Sequence, residues 1–217
     1  YLDGRDMSSK EFYDKEREGF MATTNAVNVE DASQAIEDVL KQGKDVLVLA
    51  FSSGLSSTCS AFQIAAQELA EHYPERKICV VDTLCASLGQ GMFVYQAAKL
   101  RQQGKTLEEV RDWAEANKLH QCHWFTVDDL FFLKKGGRVS AATAVVGTML
   151  QIKPVLHVDD EGHLINVAKA RGRKASLTAL VDKVGELAED PASQTMFISN
   201  SDCLEDAQFV ADEIKKR

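Results

Sequence analysis

An apolar run that leads into a small polar turn constrains this fold more than any other feature. Residues 46–51 predict a strand, Ser52-Ser53-Gly54 predict a turn, and helical periodicity begins at about Ser56. Residues 77–82 form a second continuous apolar strand. Strands without polar alternation are typical of a parallel sheet that helices cover on both faces. The first half of the chain therefore predicts an α/β fold of repeated β–α units.

Helix start and stop signals flank these strands. Asn28 is an N-cap before an amphipathic segment that Gly43 ends, and Thr106 with Glu109 forms a capping box for a helix that runs to about Asn117. Another helix is predicted from about Ser87 to residue 103. The spacing of these signals agrees with helices placed between the strands of a parallel sheet.

The second half of the chain has a different pattern. The turn Asp159-Asp160-Glu161-Gly162 lies between two short strand-like runs and predicts a hairpin. Strands and helices alternate irregularly around it, which predicts a smaller α+β domain. Strands are predicted at residues 122–127, 153–158, 163–170 and 195–199, and helices at residues 129–135, 140–151, about 177–187 and from about 204.

We place the domain boundary so that residues 1–118 form the α/β domain and residues 119–217 the α+β domain. The chain begins with Tyr1, and its helical pattern still continues at Arg217. We therefore expect the natural protein to continue beyond both ends.

Composition excludes several classes of function. A formal net charge of −8 argues against a generic nucleic-acid binder. No apolar run is long enough to span a bilayer, and no signal peptide is recognisable, so an integral membrane protein is not expected. The five cysteines are dispersed without a C-x-x-C pair, which favours reduced thiols in a cytoplasmic protein.

The turn after the first strand predicts an anion-binding site. A strand that feeds a Gly/Ser turn and then a helix gathers backbone N–H groups and the positive end of a helix dipole. The hydroxyls of Ser52, Ser53, Ser56 and Thr58 add donors. The alternative is an ordinary strand-to-helix connection with Ser56 as the N-cap. Neither a G-x-x-x-x-G-K-[ST] phosphate loop nor a G-x-S-x-G nucleophile elbow is present.

Other polar positions allow two interpretations each. Thr23-Thr24-Asn25 precedes a helix and is either a source of hydroxyls or an ordinary loop. Asp82-Thr83 ends a strand, where ligands of α/β sheets gather, although such an Asp is often a cap. Gly89 and Gly91 interrupt a helical pattern and indicate either close approach of a backbone or ligand, or helix packing.

Two basic segments, residues 134–138 and 169–174, stand out in this acidic chain. They are either solvated surface or a patch that meets a phosphate or an acidic partner surface, for which the arginine fork of donors is suited. Asp128-Asp129 does not form a metal site, because adjacent carboxylates point in different directions and Asp129 is a natural N-cap. No metal is expected.

Taken together, these segments resemble the DegV family of bacterial fatty-acid-binding proteins. The resemblance covers nearly the whole chain and implies two domains, one parallel α/β and one smaller α+β, with a long-chain fatty acid between them. It also implies that some members are the acyl-carrying subunit of bacterial fatty-acid kinase. The matching segments are YLDGRDMSSKEFY, SSGLSST, VVDTLCASLGQG, FTVDDLFFLKKGGR, IKPVL and KARGRKAS.

The resemblance also implies residue roles. The carboxylate-binding hydroxyls of the family fall on Thr23 or Thr24 and on Ser52 and Ser53, and the basic residues that meet the kinase fall on Arg138 and Arg171. The chain departs from the family pattern at Thr23-Thr24-Asn25-Ala26, where a T-S-Q-P-like run is usual. It also departs at Ser57 and Cys59, where a glycine and an aromatic residue are usual. The first strand and closing H-T-G-P-G-like segment of the family are not in these residues.

We expect a carrier that binds a long-chain fatty acid and presents its carboxylate to a separate kinase subunit, without catalytic residues or a cofactor of its own. Phe125, Leu150 and Ile152 are predicted for the wall around the acyl tail. The alternative is an enzyme acting on a phosphorylated or acyl substrate at residues 52–58, with Asp82 or a histidine as base. A third alternative is a regulatory protein that docks through its basic segments.

Overall fold

The computed structural model of this 217-residue chain describes residues 5–128, 130–140 and 151–217. The first half contains helices α1 (Ser9–Arg17), α2 (Val29–Leu40), α3 (Thr58–His72), α4 (Ser87–Gln102) and α5 (Leu107–Asn117), with strands β1 (Val46–Ala50) and β2 (Ile78–Asp82). The second half contains strands β3 (Trp124–Thr126), β4 (Ile152–Val158) and β5 (Leu164–Arg171), with helices α6 (Phe131–Lys135), α7 (Arg173–Leu187) and α8 (Leu204–Ile214).

β1 and β2 form a parallel sheet in which Val46 lies opposite Ile78 and Ala50 lies opposite Asp82. Successive side chains of a strand point to opposite faces. Val46 and Val48 pack into a core cluster with α2 and α3, whereas Leu47 and Leu49 pack against a second cluster with α4 and α5. Helices therefore cover both faces of the sheet, as the sequence predicts. The deepest residues of the two clusters are Ala32, Ile36, Ala65, Val81 and Ala114.

The predicted helix caps are confirmed. The Asn28 side chain accepts a hydrogen bond of 2.8 Å from the Asp31 N–H at the start of α2. Thr106 and Glu109 form a reciprocal capping box at the start of α5, with bonds of 3.2 and 2.8 Å. Both caps satisfy N–H groups that the helices themselves leave without partners.

The second half is built on an antiparallel sheet in the order β3-β4-β5. Phe125 lies opposite Leu156, and β4 joins β5 through the predicted hairpin. Helix α7 packs against all three strands, and its residues Leu177 and Val181 form a cluster with Val210 of α8. The predicted fold class, a parallel α/β half followed by a smaller α+β half, is confirmed. The division into domains at residue 118 remains a prediction.

The strand predicted at residues 195–199 is wrong, because this segment has no backbone hydrogen-bond partner within the described parts of the chain. It lies beside α4 instead. The rings of Phe197 and Tyr95 are 5.4 Å apart, and the hydroxyls of Ser199 and Ser87 are 3.2 Å apart. The helix predicted at residues 140–151 falls largely on residues outside the described ranges. Gln151, which is described, has a positive φ of 70° and is not helical.

Candidate functional site

The two strands of the parallel sheet end at the same edge, and their following loops are joined there. Thr83 is fully buried, and its hydroxyl donates to the carbonyl of Ala50 at 2.7 Å. The Ser52 N–H donates to the carbonyl of Cys85 at 2.9 Å. The loop after β2 therefore supports residues 52–58, which we call the serine turn.

Asp82 connects the two loops through its carboxylate. One oxygen, Oδ1, accepts hydrogen bonds from the Ser53 N–H at 3.2 Å and from the Leu84 N–H at 3.0 Å. An anion is thus already present at the end of the sheet, and it comes from the chain itself. Asp82 orients the serine turn rather than capping a helix.

Four further N–H groups of the serine turn are bonded within the turn. The Gly54 N–H donates to Ser52 Oγ at 3.2 Å, and the N–H groups of Leu55 and Ser56 donate to the Ser52 carbonyl at 3.1 and 3.2 Å. Thr58 N–H donates to Ser56 Oγ at 3.2 Å. The N-cap of α3 is Ser57, not Ser56, and the Ser57 side chain makes no capping hydrogen bond. The expectation of free backbone N–H groups is therefore wrong for residues 53–56 and 58. The N–H groups of Ser57, Cys59 and Ser60, at the start of α3, have no hydrogen-bond partner among the described residues. The turn thus offers a ligand both hydroxyl groups and these N–H groups.

The four predicted head-group residues differ in exposure. Ser52 is fully buried, and its hydroxyl donates to the carbonyl of Gly162 at 2.8 Å. Ser53, Thr23 and Thr24 are exposed, and their hydroxyls have no hydrogen-bond partner among the residues that the structure describes. The Val27 N–H donates to Thr58 Oγ1 at 3.2 Å. Residues 23–27, which we call the threonine segment, are therefore tied to the start of α3, where the serine turn ends.

The residues predicted for the acyl tail lie on the antiparallel sheet, except for one outside the described ranges. Phe125 of β3 is half-buried and packs against a cluster that contains Leu130 and Leu156. Ile152 is half-buried at the start of β4, opposite Arg171. Leu150 lies outside the described residues.

The two basic segments belong to the second half of the structure. Arg138 follows α6 and donates to the carbonyl of Gly136, while Arg171 is exposed at the end of β5. Neither guanidinium has an acidic partner within the described ranges. Lys153 of β4 donates to the carbonyl of Asp128 at 3.0 Å, which ties the loop before α6 to the same end of the sheet as Arg171.

A cavity of about 190 Å³ lies between the two halves, a site that the sequence did not predict. Leu84 and Cys85 line it from the first half, and His123, Trp124 and His157 line it from the second. It is smaller than the roughly 300–1,000 Å³ typical of small-molecule sites.

Buried titratable groups surround this cavity. Burial, and secondarily the charge of Asp82, raises the pKa of the Cys85 thiol to about 12, so the thiol stays protonated at neutral pH. Burial, followed by the effect of His157, lowers the pKa of His123 below 6.5. His123 Nδ1 has no hydrogen-bond partner among the described residues and contacts α4 at Gly89, where an added Cβ would lie 2.6 Å from that nitrogen. Gly89 therefore permits close packing of α4 against His123, the residue before β3.

Within the described residues, no group of three or more His, Cys, Asp and Glu side chains is arranged to hold a metal ion. Across the same ranges, no helix combines the length and apolar character needed to cross a membrane.

Fold and site together define a two-part α/β protein in which a serine-rich strand-to-helix turn is packed against a hairpin of the second part. The DegV family model matches residues 1–217, and the chain belongs to the DegV family. A DegV domain-containing protein of Clostridium perfringens is 47% identical over 219 residues, which covers 100% of this chain and 75% of that protein.

Solved structures of the family share this fold. A DegV family protein from Thermus thermophilus, described by its fatty acid binding, is 36% identical with a TM-score of 0.74, covering 88% of this chain and 66% of that one. A DegV family protein from Ruminococcus gnavus, refined with vaccenic acid, is 25% identical with a TM-score of 0.87, covering 100% and 77%. The ligands named for these neighbours are fatty acids.

Proposed function

We propose that this chain is a carrier that binds a long-chain fatty acid between its two halves and presents the carboxylate to a separate kinase subunit. The observation that carries the first part is the 36% identity to the Thermus thermophilus protein described by its fatty acid binding. The serine turn and the threonine segment supply the polar groups that such a ligand requires.

The head group needs donors because a buried carboxylate without hydrogen bonds is strongly disfavoured. The unpartnered hydroxyls of Ser53, Thr23 and Thr24 are the first candidates. The Ser52 hydroxyl can donate to the ligand only when its hydrogen bond to the Gly162 carbonyl is broken, since a hydroxyl has a single proton to donate. The N–H groups held by Asp82 and by Ser52 keep the turn in shape.

The acyl tail provides most of the affinity, at about 0.8 kcal/mol for each buried methylene. We assign Phe125, Leu150 and Ile152 to the wall around it. The 190 Å³ cavity beside His123 is not lined by Phe125 or Ile152 and is too small for a long chain.

A carrier role agrees better than catalysis with the hydrogen bonds of the site. In the described ranges, no histidine is hydrogen-bonded to a serine or threonine hydroxyl, whereas an activated nucleophile requires such a base. The hydroxyl of Ser52 donates to a backbone carbonyl instead.

Direct binding tests the carrier role. Protein freed of lipid is expected to bind oleic acid in a calorimetric titration, and mass spectrometry of an organic extract of the untreated protein is expected to show a long-chain fatty acid. Thr23→Val and Thr24→Val each remove a hydroxyl without changing size. The variant that removes a head-group contact should weaken binding by roughly 1–3 kcal/mol.

Thr178→Val is the matched control, because Thr178 is an exposed threonine on α7. It should bind oleic acid as the wild type does. Absence of binding by the wild type, with no fatty acid in the extract, would refute the carrier role.

The kinase-facing role rests on the basic segments. Arg173 is paired with Asp206, whereas Arg138 and Arg171 have no acidic partner in the described parts of the chain. Such cations in a chain of net charge −8 suit an acidic partner surface. Arg138→Glu should lower the rate of phosphoryl transfer from ATP to the bound fatty acid, catalysed by a purified fatty-acid kinase subunit, by about tenfold or more, because attraction becomes repulsion. Binding of oleic acid should not change.

Lys44→Glu makes the same charge change in the first half, at an exposed lysine whose side chain, within the described residues, is bonded only to Gln42. It should leave phosphoryl transfer near the wild-type rate. Equal losses in both variants would mean that net charge, and not a docking site at Arg138, determines the rate.

A further inference from the structure

The turn between β4 and β5 packs directly against the serine turn. We call residues 159–162 the hairpin turn. Its last carbonyl, that of Gly162, accepts the buried hydroxyl of Ser52 at 2.8 Å, although the two residues are 110 positions apart. Leu84, in the loop after β2, is also close to Gly162, with its Cα at 3.3 Å from the position of an added Cβ.

Two glycines make this contact close. A Cβ on Gly162 would lie 2.1 Å from Ser52 Oγ, and a Cβ on Gly54 would lie 2.7 Å from the Glu161 carbonyl and 2.8 Å from that of Gly162. Neither distance is compatible with a side chain. The hairpin turn and the serine turn are therefore in backbone-to-backbone contact.

The hairpin turn is internally braced. Asp159 Oδ1 accepts hydrogen bonds from the N–H groups of Glu161 at 3.0 Å and His163 at 2.8 Å, and the Gly162 N–H donates to the Asp159 carbonyl at 2.9 Å. A turn held by these bonds moves as one piece.

We infer that the hairpin turn is an internal competitor for the head-group site, and that it must lift from Ser52 before a ligand carboxylate is fully bound. This inference rests on the proposed function. The Gly162 carbonyl accepts the hydrogen bond that a ligand carboxylate would accept from Ser52. The hydroxyl has one proton and donates to one acceptor at a time. A carboxylate is the stronger acceptor of the two because it is charged.

The negative charge of the hairpin turn also opposes binding of an anionic ligand while the turn is closed. The hairpin turn carries Asp159, Asp160 and Glu161 beside the serine turn, and Asp160 and Glu161 are exposed. These carboxylates repel an incoming anionic head group while the turn is closed. Lifting the turn both frees Ser52 and moves this negative charge away.

The test loosens the contact from each side. Gly162→Ala places a methyl group against Ser52, and Gly54→Ala does the same against the hairpin turn at a residue without a positive φ. Gly104→Ala is the control, because Gly104 has a positive φ of 86° like the 79° of Gly162, but nothing lies within 4 Å of its added Cβ.

Two measurements are made on the full chain. Hydrogen exchange of the amides of residues 52–56 reports whether the turn lifts, and stopped-flow fluorescence of cis-parinaric acid reports fatty-acid association. We expect both contact variants to exchange and associate about three- to tenfold faster than the wild type, as the loss of one buried hydrogen bond implies. Gly104→Ala should match the wild type in both.

Unchanged exchange and association in both contact variants would overturn the inference while leaving fatty-acid binding in place. Faster exchange without faster association would overturn it as well, since the turn would then lift without competing for the ligand. Failure of the wild type to bind cis-parinaric acid or oleic acid at any rate would instead refute the proposed function, and the competition with it.

Discussion

Ser53→Asp should weaken binding of oleic acid by about tenfold to a hundredfold, the largest effect we expect from a single change at the serine turn. Two like charges about 4 Å apart repel by roughly 4 kcal/mol at an effective dielectric constant of 20, and screening at an exposed site reduces this value. Because tenfold corresponds to about 1.4 kcal/mol, the predicted loss remains measurable after screening.

Ser53→Asn is the matched control because Asn has the shape of Asp without its charge. Ser53 is exposed, so neither substitution disturbs the core. In calorimetry on lipid-free protein, the dissociation constant of the Asn variant for oleic acid should lie within about threefold of the wild-type value. Equal affinities of the Asp and Asn variants would place the ligand's carboxylate away from Ser53.

Leu156→Ala should lower the free energy of unfolding by about 2–5 kcal/mol, the range for truncating a buried leucine. Leu156 is 0% exposed in β4 and packs with Leu130 and Phe125, so the lost methyl groups leave a cavity in the centre of the antiparallel sheet. Urea unfolding followed by circular dichroism measures the change.

Ile165→Ala provides the comparison, since Ile165 lies on the adjacent strand β5 but is 37% exposed. The decrease in the free energy of unfolding should be clearly smaller for Ile165→Ala than for Leu156→Ala, because the partly exposed side chain buries less apolar surface. A loss for Ile165→Ala as large as that for Leu156→Ala would show that this sheet is not stabilised chiefly through Leu156 and its neighbours.

The first half of the fold could be predicted from sequence because its signals are local. The apolar runs at β1 and β2, the Asn28 cap and the Thr106–Glu109 box each specify structure within a few residues. Hydrophobic periodicity and capping are determined by near neighbours in the chain. The hairpin around Gly162 was predicted for the same reason.

The segment at residues 195–199 was not predictable in this way. Its apolar and β-branched residues favour a strand, but a strand exists only with a partner that supplies backbone hydrogen bonds. Local sequence does not contain that partner.

The candidate site was predicted in its residue types but not in its hydrogen bonds. Sequence identified the hydroxyls of Ser52 and Ser53, yet the Asp82 carboxylate and the Gly162 carbonyl reach the turn from 29 and 110 positions away. A motif of seven residues carries no information on such contacts. The cavity beside His123 was missed because its walls come from both halves of the chain.

The contact between Gly162 and Ser52 also affects the folding kinetics of the chain. Closing a loop of 110 residues costs entropy that no neighbouring contact repays until both sheets exist. We therefore expect this junction to form late, after the transition state for assembling each sheet, and to affect the rate of unfolding more than the rate of folding. The glycines at positions 54 and 162 should then influence the lifetime of the folded chain separately from its folding rate.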